Sequence, residues 1–301
     1  MAAAASACAQ SPAATPSVVY VAHDADAIKN YKTNPAIVRA MVNRLVMAVT
    51  KQADVASAWR SLVSPKDKVG IKISAAGGEI FATHRDVVNA IVDGLVAAGH
   101  ARESIVVWDR TLGGAHAAGY GNEGYRLVGV LGYGGYDPKV SISGPLLGNL
   151  VWGDHDYHGG ITSVPLSDGQ NMSVTSYVAK VLTQDVTKVI NVPVLSDSET
   201  NGVAGCIYNM TVPNIDNWRR FTQSTHFAAG SLAEIYGNPA IGSKVVLNIM
   251  DGLIAEYAGG PASHPNYQKH FDTIYASRDP VAIDSIALKK IEEWRRLASL
   301  G

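Results

Sequence analysis

The sequence predicts an α/β fold, a mainly parallel sheet with helices on both faces and an irregular β-rich insertion. Three observations carry this reading. The segments KVGIKI, KVINVPVL and KVVLNIM are near-continuous apolar runs of strand length, as expected for strands covered on both faces. Between them lie stretches whose apolar residues recur at helical spacing. The chain has 301 residues, 47% hydrophobic and 17% charged, enough for one large domain with a substantial core.

In chain order, Ser17–Val21 (SVVYV) predicts the first strand. Pro35–Val49 predicts an amphipathic helix, with Asn34 as N-cap and Pro35 opening the first turn. Lys68–Ile73 predicts a buried strand. After a glycine pair, VVNAIVDGLVAAGH predicts a helix ending at Gly99, and His84 stands where that helix opens, placed to cap it or to contact a ligand. Ser104–Arg110 (SIVVWDR) predicts the next strand. Residues from about 121 to 167 are rich in glycine, tyrosine and short β-prone pieces, and read as an insertion within a single domain spanning 17–301. Ser173–Thr183 reads as helix, Lys188–Leu195 as one buried strand, and about Ala228–Tyr236 as helix. Lys244–Met250 and DTIYAS read as strands, and a long helix follows from Pro280, capped by Asp279.

Composition removes several function classes. With 25 basic and 26 acidic residues, the formal charge of -1 removes the simplest electrostatic argument for nucleic acid, so no nucleic-acid partner is expected. Two cysteines, Cys8 and Cys206, cannot ligate an iron–sulfur cluster or a four-cysteine zinc site. No G-x-G-x-x-G follows a first strand, so an NAD signal is missing, and AGGEI lacks the GK[ST] ending of a P-loop. The opening MAAAASACAQSPAATPS reads as a truncated export signal with an A-x-A arrangement at Ala5–Ala7, or else as a flexible alanine-rich tail over residues 1–16. The expected location is therefore periplasmic or secreted. No segment reads as transmembrane, and the oligomeric state is left open.

Ligands of open parallel sheets bind beyond the carboxyl ends of the strands. Ser74 follows KVGIKI, Asp109 and Arg110 close SIVVWDR, Ser196 and Asp197 follow KVINVPVL, and Asp251 follows KVVLNIM. Asp109 and Asp251 are the candidate acid/base or metal-binding carboxylates. Lys72, inside an apolar strand, must pair with a carboxylate or reach the strand end, and is the third catalytic candidate. Arg110, Ser74, Asp197, Tyr208 and His226 are candidate substrate contacts. So are Asn209, Asn214, Asn217 and Trp218 of CIYNMTVPNIDNWRRF, a stretch too rich in asparagine for an ordinary core. His155 and His158 in GDHDYHGG are the candidate metal ligands, which leaves a divalent metal open as cofactor.

The motif order VGIKIS…THRDVVNAIVDGLVAAG…IVVWDR, VINVPVLSD…NGVAGCIYNMTVPNIDNWRRF and LNIMDGLIAEYAGGP…IYASRDPVAIDSIAL resembles the domain of unknown function 362 family, from about Lys68 to Leu288. The resemblance implies an α/β protein, often exported, some of whose branches carry ferredoxin-type clusters. This chain lacks the cysteines for those. Lys72, Asp109, Arg110, Asn209, Asn217, Asp251 and Asp279 match the family pattern. Ser74 stands where the family usually has asparagine. Ser196-Asp197-Ser198 stands for a KDH-like triplet, and Tyr208-Asn209 for lysine-asparagine. Fewer basic groups imply a less anionic ligand than that of the relatives. The expected function is an exported small-molecule enzyme of hydrolase or lyase type acting on a polar substrate; the alternative is a periplasmic binding protein without catalysis.

Overall fold

A computed structural model describes residues 16–131, 135–143, 175–216, 218–221 and 225–300. Strand β1 (Tyr20–His23) leads through a small hairpin, β2 (Ile28–Lys29) and β3 (Lys32–Thr33), to helix α1 (Pro35–Thr50). The Asn34 side chain accepts from the N–H groups of Ala36 and Ile37, the cap its position predicts. Helix α2 (Val55–Leu62) and strand β4 (Val69–Ile73) follow, then α3 (Arg85–Ala97), β5 (Val106–Asp109), α4 (Leu112–Ala117) and β6 (Arg126–Gly129). Strands β7 (Tyr136–Ser143) and β8 (Thr175–Ala179) form a separate antiparallel pair. The second half comprises β9 (Lys188–Val192), β10 (Val194–Ser198), β11 (Gly202–Val203), α5 (Cys206–Thr211), α6 (Thr225–Tyr236), β12 (Val245–Glu256), β13 (Gln268–Ser277) and α7 (Pro280–Leu297).

The main sheet runs β1-β13-β12-β9-β4-β5-β6. From β12 to β6 every neighbour is parallel, while β13 and β1 add an antiparallel edge. Side chains alternate across it as the period of 2 requires. Ile71, Ile73, Ile190, Val192, Ile249 and Ile274 pack with α1, α2 and α3 in one core. Trp108, Val189, Met210 and Ile235 form a second, and Met250 and Tyr275 pack on α7 in a third, with α5, α6 and α7 supplying the opposite layer. This is the mainly parallel, two-sided sheet the apolar strands predict.

Two elements differ from expectation. The helix read over Ser173–Thr183 is not formed: Thr175–Ala179 is strand β8, followed by one wide helical turn at Val181–Asp185. Its partner β7 lies far back in sequence, and long-range pairing of β-branched and aromatic residues overrides the local pattern. KVINVPVL is two strands, because Pro193 has no N–H to donate to a ladder. β9 pairs with the first half of β12, and β10, after Pro193, pairs with the second half from Val194↔Asp251 onward. β12 therefore runs well beyond Met250.

Candidate functional site

The carboxyl ends of β4 and β5, with the first half of β10, open onto a cavity of ≈ 330 Å³, the position at which parallel sheets bind ligands. Ser74 comes from the end of β4, Asp109 and Arg110 from the end of β5, and Ser196 from β10. Tyr208 and Asn209 come from α5, and Trp218 from the short turn beyond it. The segment after β4 closes one side through Gly77 and Phe81, which form an isolated bridge. A side chain at Gly77 would sit 1.7 Å from the Phe81 carbonyl oxygen, so only glycine permits that close approach.

A buried polar ladder underlies the cavity floor. Lys72 is fully buried, and its ammonium donates to Asp109 Oδ1 at 2.7 Å, Ile73 O at 2.5 Å and Asn209 Oδ1 at 3.0 Å. Three acceptors for three N–H groups require the charged form. Burial lowers the Lys72 pKa from its ordinary value, with the Asp109 carboxylate acting in the opposite sense. Asp109 Oδ2 accepts from the Ala75 N–H at 2.7 Å. The carboxylate is thus held from behind at both oxygens while Asp109 remains part of the cavity wall. Asn209 Nδ2 continues the ladder to Asn191 Oδ1 at 2.9 Å, and Asn191 Nδ2 donates to Asn248 Oδ1 at 2.9 Å. Lys72, Asn191 and Asn248 are aligned partners on neighbouring strands β4, β9 and β12.

Around the rim, the Arg110 guanidinium stacks over the Trp218 ring, 4.7 Å from its centroid. Burial pushes the Tyr208 phenol up to about 12, so at neutral pH it is a hydroxyl able to donate and accept. Phe81, Val194, Val212, Pro213 and Pro261 supply an apolar wall. A few convergent polar groups in a mostly apolar concavity is the general build of a small-molecule site.

Of the residues expected from sequence, Asp109, Arg110, Ser74, Tyr208, Asn209 and Trp218 come together here. Others do not. Lys72 is beneath the cavity with every donor engaged, so it positions Asp109 instead of touching a ligand. Asp251 faces the α3 layer, where its Oδ2 accepts from the His84 backbone N–H at 2.7 Å and approaches His84 Nδ1 at 2.8 Å. It is paired with a histidine, away from Asp109. Asn214 is structural: it accepts from Trp108 Nε1 at 2.8 Å and donates to the carbonyls of Asn209 and Met210, which α5 leaves open at its end. Asp197 accepts from the Gly260 N–H at 3.0 Å, and burial raises its pKa. That bond holds the loop carrying Pro261 and Ala262 to the cavity edge. The His226 side chain, Asn217, His155 and His158 lie outside the described residues. Among the described residues no group of three or more His, Cys, Asp or Glu side chains is arranged to hold a metal ion, and no helix is long and apolar enough to cross a membrane.

Asn191, Asn248 and Ser196 are the residues the strand-end reading missed or left without a role. An asparagine inside an apolar strand is the signal that would have found the first two: Asn191 is opposite the buried Lys72, and Asn248 is opposite Asn191.

A family model described as domain of unknown function (DUF362) matches residues 69–289. The chain belongs to the domain of unknown function 362 family. The family match starts with the first residue of β4 and ends within α7, so it takes in the whole cavity wall from Ser74 to Ala262. No curated protein matches the chain. Among solved structures, this member of the family is similar to a Thermotoga maritima protein determined by the Northeast Structural Genomics Consortium. The TM-score is 0.44 at 9% identity, covering 91% of this chain and 60% of that one, so the chain spans less than two thirds of that protein's length.

Proposed function

We propose that this protein is an exported small-molecule enzyme of hydrolase or lyase type, with Asp109 as the group that moves a proton. The observation that carries the reading is the mounting of Asp109: an ammonium and a backbone N–H fix its two oxygens from behind, and the residue lines a cavity at the strand ends. A carboxylate so oriented accepts a proton from a ligand hydroxyl or C–H, or from a water beside it. Arg110, set against Trp218, is placed to meet negative charge that develops on the ligand. Ser74, Ser196 and the neutral Tyr208 hydroxyl orient polar groups of the substrate. Export rests on the small-residue opening of the chain.

A binding protein without catalysis is the second reading, favoured by the apolar share of the wall and by the full engagement of Lys72. Turnover separates the two. Wild type and Asp109→Asn are assayed against chromogenic esters, phosphate monoesters and glycosides, and against β-hydroxy and β-amino acids whose elimination is followed by absorbance. An enzyme turns over one class, and the variant loses about a hundredfold or more in rate while its circular dichroism is unchanged. Turnover that survives Asp109→Asn refutes the assignment, and tight binding of a compound that is never converted favours the binding protein.

A further inference from the structure

A second cavity, of ≈ 280 Å³, lies between the β2–β3 hairpin and the start of α3, and it shares no wall residue with the first. Lys32, Thr33, Glu79, His84, Arg85 and Asp86 are on its wall. His84 is held rigidly there. Its backbone N–H and its ring Nδ1 both engage Asp251 Oδ2, and Asp251, fully buried, also accepts from the Leu253 N–H at 3.1 Å. The second ring nitrogen, Nε2, is buried and meets no hydrogen-bond partner among the described residues, although His84 is only 9% exposed. Burial disfavours a charged ring, but the Asp251 carboxylate outweighs it and raises the His84 pKa. When charged, the ring has a donor at each nitrogen, and Nε2–H then meets no acceptor among the described residues.

The surroundings favour an acceptor that is an anion. His84 occupies the N-cap position of α3 without a side-chain cap bond, and the first turn closes with the Val87 N–H on the His84 carbonyl at 3.0 Å, which leaves the N–H groups of Arg85 and Asp86 ahead of the first intrahelical acceptor. Lys32 makes no ion pair among the described residues. Arg85 uses one nitrogen on the Gly119 carbonyl at 3.0 Å, with Glu123 3.8 Å away. Glu79 and Asp86 oppose an anion and Asp251 balances a charged His84 ring, but Asp86 already accepts the Thr33 hydroxyl, and Lys32 and Arg85 bring two further cations to the same wall. We propose that this cavity is a second ligand site, separate from the Asp109 cavity, which takes a small oxyanion of the carboxylate or phosphate class through His84 Nε2, Lys32, Arg85 and the start of α3.

Inorganic phosphate and acetate, titrated separately into the full chain, test it by calorimetry and by NMR of the His84 ring, whose resonance is identified by its loss in His84→Gln. At least one anion is expected to bind saturably and to shift that resonance. Lys32→Ala and Arg85→Ala, which change side chains at the cavity mouth, should each weaken binding about tenfold, and Asp109→Asn should leave it unchanged. If His84→Gln fails to fold, these two variants carry the test by calorimetry alone. The proposal is overturned if neither anion binds, if binding ignores both Lys32→Ala and Arg85→Ala, or if Asp109→Asn abolishes it.

Discussion

Lys72 and Asp109 depend on each other. Replacing Lys72 by methionine keeps most of its volume but leaves Asp109, 7% exposed, without its cation, and removes the donor that Ile73 O and Asn209 Oδ1 share. Breaking one side of a buried pair costs about 3–5 kcal/mol, so Lys72→Met should lower the urea midpoint by that equivalent. Adding Asp109→Asn should restore part of the loss; a single variant as stable as wild type would show that the pair bears no structural weight. The same ladder explains what the asparagine-rich stretch is for. Asn209 joins Lys72 to Asn191, Asn214 closes α5 and fixes Trp108, and only Asn209 of these two also reaches the cavity. Sequence alone placed both as ligand contacts, because it reveals a residue's type and neighbours but not which way its amide turns.

At the scale of elements, the expected residues line the cavity where a strand ends. β4 and β5 stop at Ile73 and Asp109, and the residues read there line the cavity. Asp251 and Asp197 are not on that wall, because β12 continues to Glu256 and β10 to Ser198, which makes both aspartates interior strand positions. Their polarity imitates a loop. Helix α5 shows a different dependence: no side chain of its own caps it, and Asp284 of α7 accepts from its Cys206 and Ile207 N–H groups at 2.6 and 3.0 Å. Burial lifts the Asp284 pKa from 3.8 to about 6, against the lowering by those N–H groups. The native state then holds this proton more firmly than the unfolded chain, so its contribution is full below 3.8 and is lost as pH rises through about 6. The stability of wild type minus that of Asp284→Asn, from urea melts, should fall across this interval and be flat above it. A difference that rises with pH there would contradict the burial of this carboxyl.

For the whole molecule, the parallel core from β12 to β6 follows from apolar runs that permit helices on both faces, and that much was legible. The place of β1 on the antiparallel edge, the β7–β8 pair and the offset of β10 were not, since each depends on partners distant in sequence. The offset has consequences for function. It carries Ser196 to the cavity rim while burying Asp197 beneath the loop at Gly260. It leaves Asp251, opposite Val194, facing α3 and His84. One sheet therefore presents two separate cavities, a mostly apolar one beside Asp109 and a polar one beside His84, and ligand chemistry belongs to the one beside Asp109. The most direct measurement is a crystal structure of the protein soaked with a library of small polar fragments. Fragment density is expected within hydrogen-bond distance of Asp109 and against the Arg110–Trp218 pair; fragments that gather elsewhere while this cavity holds only solvent would refute a ligand site beside Asp109.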